Sequence, residues 1–400
     1  MDWIAIVLTL VGVLCFLFAA GYWWGVSLLL HQFFEPSEER SDVPVTFLKP
    51  LHGASPELAE NLRSFCRQEY SAPGDKPNFR IVLGVAEETD PAFAVAQQVR
   101  EEFPTLDITI VTGAPVIGAN AKVCNLAHMA ATAGLNDVFI ISDADVRVPP
   151  DWLRRVVTAL DDESVGLASC FYRIANPPDL PNAFEAMLVN VDFPAGVLVA
   201  ERMLNMPVTL GATMVLRRSA LEAVGGFEAI ANHLADDYQL GQRIAAAGYR
   251  VVTVNDVVDI IAPPAAWGAS WAHQVRWART YRVCQPAGYF FSVLVNSYFC
   301  AVPIAMASVL RGEYPTWEMG VVMAIMVCTV LGVRALTVRD MVATLTAKSA
   351  GIKTIALLPL RDLMNLALWV AAFAGNTVQW GGRTFRVARD GTMKEVARAK

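Results

Sequence analysis

The chain reads as an α/β domain with a mostly parallel sheet, held between an N-terminal apolar anchor and several C-terminal apolar segments. Three observations predict this. Residues 3–30 carry no charge, strand and helix patterns alternate from residue 43 to about 282, and long apolar runs return after residue 289. With 54% hydrophobic and 18% charged residues over 400 positions, and a mean hydropathy of +0.40, the chain is too apolar for an ordinary soluble domain.

Residues 3–30 are long enough to span a bilayer, with Tyr22, Trp23 and Trp24 as interfacial anchors. Asp2 is the only early charge and the run is too long for a cleaved signal peptide, so residues 1–34 read as a retained anchor. Residues 35–282 have ordinary composition, enough for one domain of roughly 250 residues. A first strand is expected at 43–48, then a helix capped by Ser55 with Pro56 at its first position. A strand at 79–85, a helix at 91–103, a strand at 108–111, a helix from about Ala121 and a strand from Val138 follow, the alternation of a parallel sheet.

Residues 283–380 form the expected C-terminal membrane region. Runs 289–310 and 317–336 read as spans, and 355–380 is interrupted by Pro359, Arg361 and Asp362, leaving a spanning core at 363–380. Residues 381–400 read as a basic cytoplasmic tail with Arg383, Arg386, Arg389, Lys394, Arg398 and Lys400. Keeping that tail on the cytoplasmic side requires an even number of crossings. A crossing at 341–360 would bury Lys348 and Lys353 at roughly 2.5–3.5 kcal/mol each, so a re-entrant or interfacial segment is preferred.

The seven scattered cysteines contain no Cys-x-x-Cys, which implies neither a disulfide framework nor a zinc site. This agrees with a cytoplasmic polar domain, for which the bacterial inner membrane is the expected setting. A net charge of −6 excludes the basic stripe that nucleic acid requires.

The chemistry starts at Val138-Phe139-Ile140-Ile141-Ser142-Asp143-Ala144-Asp145, a buried strand presenting two carboxylates at its carboxyl edge, where open α/β sheets bind ligands. Asp143 and Asp145 offer hard oxygens for Mg2+ or Mn2+, whose other ligands would be water and substrate phosphates; a pair of solvated loop aspartates is the alternative. Asp90 precedes Pro91 and reads as a helix cap, a contact for a nucleotide base or ribose, or both. Asp236 and Asp237 open a helix ending near Gly248, either complementing its dipole or supplying a general base. His273, Arg276 and Trp277 lie on a stretch that is either an interfacial amphipathic helix or the place where a departing diphosphate and an acceptor lipid are met.

These four sites in this order resemble the inverting family 2 type glycosyltransferases of GT-A fold. Within them, Leu48-Lys49-Pro50-Leu51, Asp90-Pro91-Ala92, Ser142-Asp143-Ala144-Asp145-Val146-Arg147-Val148, Ala235-Asp236-Asp237-Tyr238 and Arg276-Trp277 resemble the ceramide glucosyltransferase family, family 21, and its bacterial relatives that glycosylate hopanoids. The resemblance implies that Asp90 contacts the nucleotide, Asp143 the metal or diphosphate, and that Asp237 is the catalytic base. Asp236 and His273 join the nucleotide-sugar site, and Asp143 and Asp145 the metal site. Arg276 and Trp277 match the end of a Gln/Arg-x-x-Arg-Trp motif. His273 stands where that motif has Gln or Arg, and Asp145 where ceramide glucosyltransferases often have Gly. The implied reaction is a single in-line displacement moving one hexose from a UDP-sugar, UDP-glucose first, to a hydroxyl of a bilayer lipid, ceramide first. A hopanoid acceptor with UDP-N-acetylglucosamine is the alternative. A processive polysaccharide synthase and an inactive membrane scaffold are more distant ones.

Overall fold

The computed structural model describes residues 2–34, 41, 43–72, 76–134, 136–312, 316–346 and 350–396. Among the described residues, the expected strands join others that were not expected in one eight-stranded sheet. From one edge it runs Asp107–Val111, Phe79–Val85, Val45–Leu51, Val138–Ser142, Thr213–Arg217, Val165–Ile174, Arg250–Ile260 and Val146–Arg147. Pairing is parallel through the first four strands and between Val165–Ile174 and Arg250–Ile260. Thr213–Arg217 is antiparallel to both of its neighbours, and Val146–Arg147 is antiparallel at the far edge.

Successive strand residues serve opposite faces. Phe47 and Ile140 enter the larger core with Phe65, Val99 and Trp152, whereas Leu48, Phe139 and Ile141 enter a second with Val123, Met129 and Ile244. Burial on both faces explains why these strands read as continuous apolar runs. The inserted antiparallel strand sets the site. Thr213 pairs with Ser142, so the segment before Thr213 lies beside the segment after Ser142, and Asp143 N–H donates to Ala212 C=O at 3.1 Å.

Among the described residues, four helices are long and apolar enough to cross a membrane: Trp3–Phe33, Leu180–Arg202, Trp317–Thr346 and Ile352–Phe373. The expected 289–310 span is not one helix. Pro286–Phe291 and a 3-10 turn Ser292–Val295 give way to extended backbone at Asn296 before Ala301–Leu310. Polar contacts accompany the break: Asn296 donates to Asp362 C=O at 2.8 Å and Ser297 to the Asp362 carboxylate at 2.5 Å. Conversely, Pro359, Arg361 and Asp362 do not interrupt Ile352–Phe373, because Arg361 and Asp362 are buried against protein rather than lipid. That helix ends at Phe373, not at Trp380. Lys353 is exposed near its start, and Lys348 lies outside the described residues.

The basic end of the chain is folded. Thr377–Trp380, Arg383–Val387 and Met393–Glu395 form an antiparallel sheet carrying Arg383, Arg386 and Lys394, and Arg389 lies in its second turn; Arg398 and Lys400 lie outside the described residues. Val378, Phe385 and Met393 pack on Leu234, whose N–H donates to Gly391 C=O at 3.1 Å. At the N-terminal end of the domain, Ser55-Pro56 forms a turn instead of a cap: the helix is Leu58–Cys66, and Leu58 N–H donates to Ser55 C=O.

Candidate active site at the carboxyl edge of the sheet

Every site residue expected from the sequence lines one cavity of about 1880 Å³. Asp143, Asp145, Asp236 and Asp237 come from two elements that the sheet order makes neighbours. Asp143 and Asp145 follow the Val138–Ser142 strand, and Asp236 and Asp237 are the first two residues of helix Asp236–Ala246, opposite Gly211. A methyl group on Gly211 would lie 2.5 Å from Asp237 Oδ2, so the bare backbone at 211 makes room for that carboxylate.

The electrostatics separate the four acids. Burial, then the neighbouring Asp236, pushes Asp237 up to about 6, although its Oδ1 accepts the Tyr238 N–H at 2.7 Å. Asp145 faces the cavity, where desolvation by the surrounding groups, then Asp143, likewise pushes it up to about 6. Asp143 and Asp236 share the Lys122 ammonium, at 2.6 Å from Asp143 Oδ1 and 3.7 Å from Asp236 Oδ2. Burial opposes the charge on Lys122, but Asp143 and Asp236 outweigh it and keep it protonated.

Lys122, absent from the expected site, occupies the first turn of helix Ala121–Thr132. A cation there opposes the helix dipole, which is the signal the sequence offered. Asn120 fixes the turn by capping Val123 N–H at 3.1 Å and donating to His233 C=O at 2.8 Å, tying this helix to the loop before Asp236. Lys49, also unforeseen, is fully buried beneath the carboxylates. It donates to Asp143 C=O at 2.7 Å and Ser142 Oγ at 3.3 Å, and its ammonium lies 3.7 Å from the Phe65 ring centre. Burial pulls it down to about 7 against the attraction of Asp143 and Asp145.

Asp90 does cap its helix, accepting Ala92 N–H at 2.9 Å. The same carboxylate accepts Gly53 N–H at 2.9 Å and pairs with His52 Nδ1 at 3.0 Å, anchoring the loop after the first strand to the cavity rim.

Helix Trp267–Cys284 closes the other wall. Arg276 is half-buried there, and burial pulls its pKa down; among the described residues its guanidinium has no hydrogen bond or ion pair. His273 Nδ1 meets Glu185 Oε1 at 2.8 Å, and its ring lies 4.6 Å from that of Trp277. Glu185 is a further buried acid that sequence reasoning missed, since its partner is distant in the chain.

For a metal, the arrangement offers two hard carboxylates. Among the described residues no group of three or more His, Cys, Asp or Glu could hold an ion. Two carboxylates would leave a cation's remaining positions to water and phosphate, which Mg2+ and Mn2+ allow.

Known proteins share this framework. Ceramide glucosyltransferase 3 of Caenorhabditis elegans is 23% identical over 215 residues, covering 53% of this chain and 45% of that protein. The ceramide glucosyltransferase of Komagataella phaffii is 34% identical over 155 residues, 35% of this chain and 29% of that one. The chain thus spans less than half the length of these relatives in the regions that match. A mannosyltransferase from Pyrobaculum calidifontis, solved with GDP-Man and Mn2+, superposes with a TM-score of 0.50 at 21% identity, covering 93% of this chain and 97% of that one, so the GT-A fold is shared. The model of the family described as Glycosyl transferase family 21 matches residues 5–393, from the first membrane helix to the last strand, and the chain belongs to that family.

Proposed function

We propose that the protein is a membrane-bound inverting glycosyltransferase that moves one glucose from UDP-glucose to the primary hydroxyl of ceramide, with its catalytic domain on the cytoplasmic face. The observation that carries the reading is Asp237. It is a half-buried carboxylate with a pKa raised to about 6, in the same cavity as a free Arg276 guanidinium and the Asp143–Asp145 pair. A general base works best with a pKa near the operating pH.

In this reading Asp237 accepts the acceptor hydroxyl proton as the oxygen attacks the anomeric carbon. The new C–O bond forms on the face opposite the breaking bond to the β-phosphate oxygen, and the electron pair leaves with UDP. Arg276 and Lys122 stabilise the departing diphosphate, the role that fixed cations fill in a dry site. Asp90, beside His52 and Gly53, holds the nucleoside end. A divalent cation bound by Asp143 and Asp145 would add further neutralisation of the diphosphate. Trp277 and His273 shape the acceptor side, where a lipid enters laterally between the apolar helices. The ceramide glucosyltransferase relatives support this acceptor and donor.

The test is mass spectrometry of lipids made by the purified protein with Mn2+ from a panel of UDP-sugars, offered ceramide and a hopanoid together. Glucosylceramide from UDP-glucose is expected. A hopanoid product, long polymer, or no product despite UDP binding would overturn the assignment.

A further inference from the structure

The cavity has a second polar end inside the membrane-facing part of the molecule. The helical stretch Leu180–Arg202 is broken by a π turn, Leu188–Asp192, an irregularity frequent at functional sites. Its last residue, Asp192, lines the cavity with 14% of its side chain exposed. Arg334 donates to Asp192 Oδ1 at 2.7 Å, and Asn365 Nδ2 donates to Oδ2 at 2.9 Å. The cluster is balanced, since Arg334 also meets Asp362 at 2.7 Å and Arg361 approaches Asp192 at 3.7 Å. Ionised groups among apolar helices are costly, and those that face a cavity mark the path of a ligand.

The spare hydrogen-bonding capacity of this floor is specific. A carboxylate only accepts, so Asn365 must turn its amide nitrogen to Asp192, leaving Asn365 Oδ1 with no partner among the described residues. Asp192 accepts two hydrogen bonds out of about four lone-pair sites. The neighbouring polar groups are committed: Gln274 takes Arg361 at 2.7 Å and gives to Ser270, and Glu185 holds Ser270 and His273. Arg334 Nε and Arg361 Nε and Nη2 also lack hydrogen-bond partners among the described residues, but those side chains are 2% and 0% exposed, so the unused valences within reach of a ligand are acceptors. Tyr22, on the same wall, has a phenol able to give or take a hydrogen bond.

The floor and the base belong to one cavity. Phe193, next to Asp192, stacks on Tyr281 with ring centres 6.1 Å apart, and Phe193, Tyr281 and Asp237 all line that cavity.

We propose that Asp192 and Asn365 recognise an N–H or O–H donor that the acceptor lipid carries beside its reactive hydroxyl, so that an amide-bearing acceptor is selected over a diester. This rests on the reading of the cavity as a lipid-acceptor site. A diacylglycerol presents ester oxygens, which are acceptors only, to the two acceptors of the floor. Ceramide presents an amide N–H and a second hydroxyl.

Binding separates this proposal from turnover. The full chain in detergent is titrated with a short-chain ceramide, its N-methyl amide analogue and a matched diacylglycerol, with UDP binding and the melting temperature as folding controls. Ceramide should bind roughly tenfold or more tighter than the diacylglycerol, since a hydrogen bond to a charged group is at stake, and the N-methyl analogue should fall between them. Asn365→Leu should bring the three within about twofold while UDP still binds. Equal binding of the three lipids to the native protein overturns the proposal without any variant, as does unchanged discrimination in a folded Asn365→Leu. Selective ceramide binding without glucose transfer would support this site while removing the transferase reading.

Discussion

The two ends of the cavity hold similar residues in opposite electrostatic states. At the sheet edge, Asp145 and Asp237 line the cavity beside other carboxylates and their pKa values rise; Lys122 is shared between Asp143 and Asp236, and Arg276 stands free. At the membrane end, Arg334 and Arg361 face Asp192 and Asp362, two cations against two anions, joined by Ser297 and Asn365. The difference teaches that the charges of the second cluster are balanced within the fold, with acceptor sites left over, whereas the first keeps an excess of carboxylates. Unrelieved repulsion stores capacity for chemistry, whereas a neutral cluster joins helices distant in sequence.

That contrast breaks most sharply at Asp237. Asp237→Asn should lower kcat by about 10²- to 10⁴-fold with little change in melting temperature, because a general base is lost while a repulsive buried charge is removed. Steady-state transfer assays and thermal melts on the same preparation check both halves. At the other end, Arg334→Leu should destabilise the protein by about 3–5 kcal/mol, since it leaves Asp192 and Asp362 without their main partner. Denaturant unfolding in detergent measures this, and the double change Arg334→Leu with Asp362→Leu should recover part of the loss.

The acid side of the pH profile sharpens the comparison further. The base must be ionised, so with a raised pKa kcat/KM should fall about tenfold per pH unit below about 6 and level off above it. An ordinary aspartate would hold the plateau down to about pH 4. The smallest of these effects is expected from Gly211→Ala, whose methyl group must displace the Asp237 carboxylate end. A fall in kcat of about tenfold with UDP affinity intact would fit the sensitivity of such sites to displacement by an ångström or less.

The sheet-edge site was legible in the sequence because each acid sits where local signals end. Asp143 follows a run of apolar strand residues, Asp90 precedes a proline, and Asp236 and Asp237 open a helix. Lys49 and Lys122 were not legible as site residues, since what makes them so is the pairing of separate strands and helices across the sheet edge. The membrane region failed for the same reason. Arg361 and Asp362 look like interruptions of a span when read alone, yet buried partners from helices far along the chain make them compatible with a continuous helix. Asn296 and Ser297 look tolerable in an apolar run, yet their bonds to Asp362 accompany a break. Charge in a membrane helix is interpretable only once its partner is known.

The stereochemistry of the lipid product tests the single displacement at Asp237 most directly. With UDP-α-glucose and ceramide, proton NMR of the purified glycolipid should show a β-anomeric linkage, produced by attack opposite the leaving diphosphate. An α-linked product would contradict one-step inversion and the assignment of Asp237 as the base that drives it.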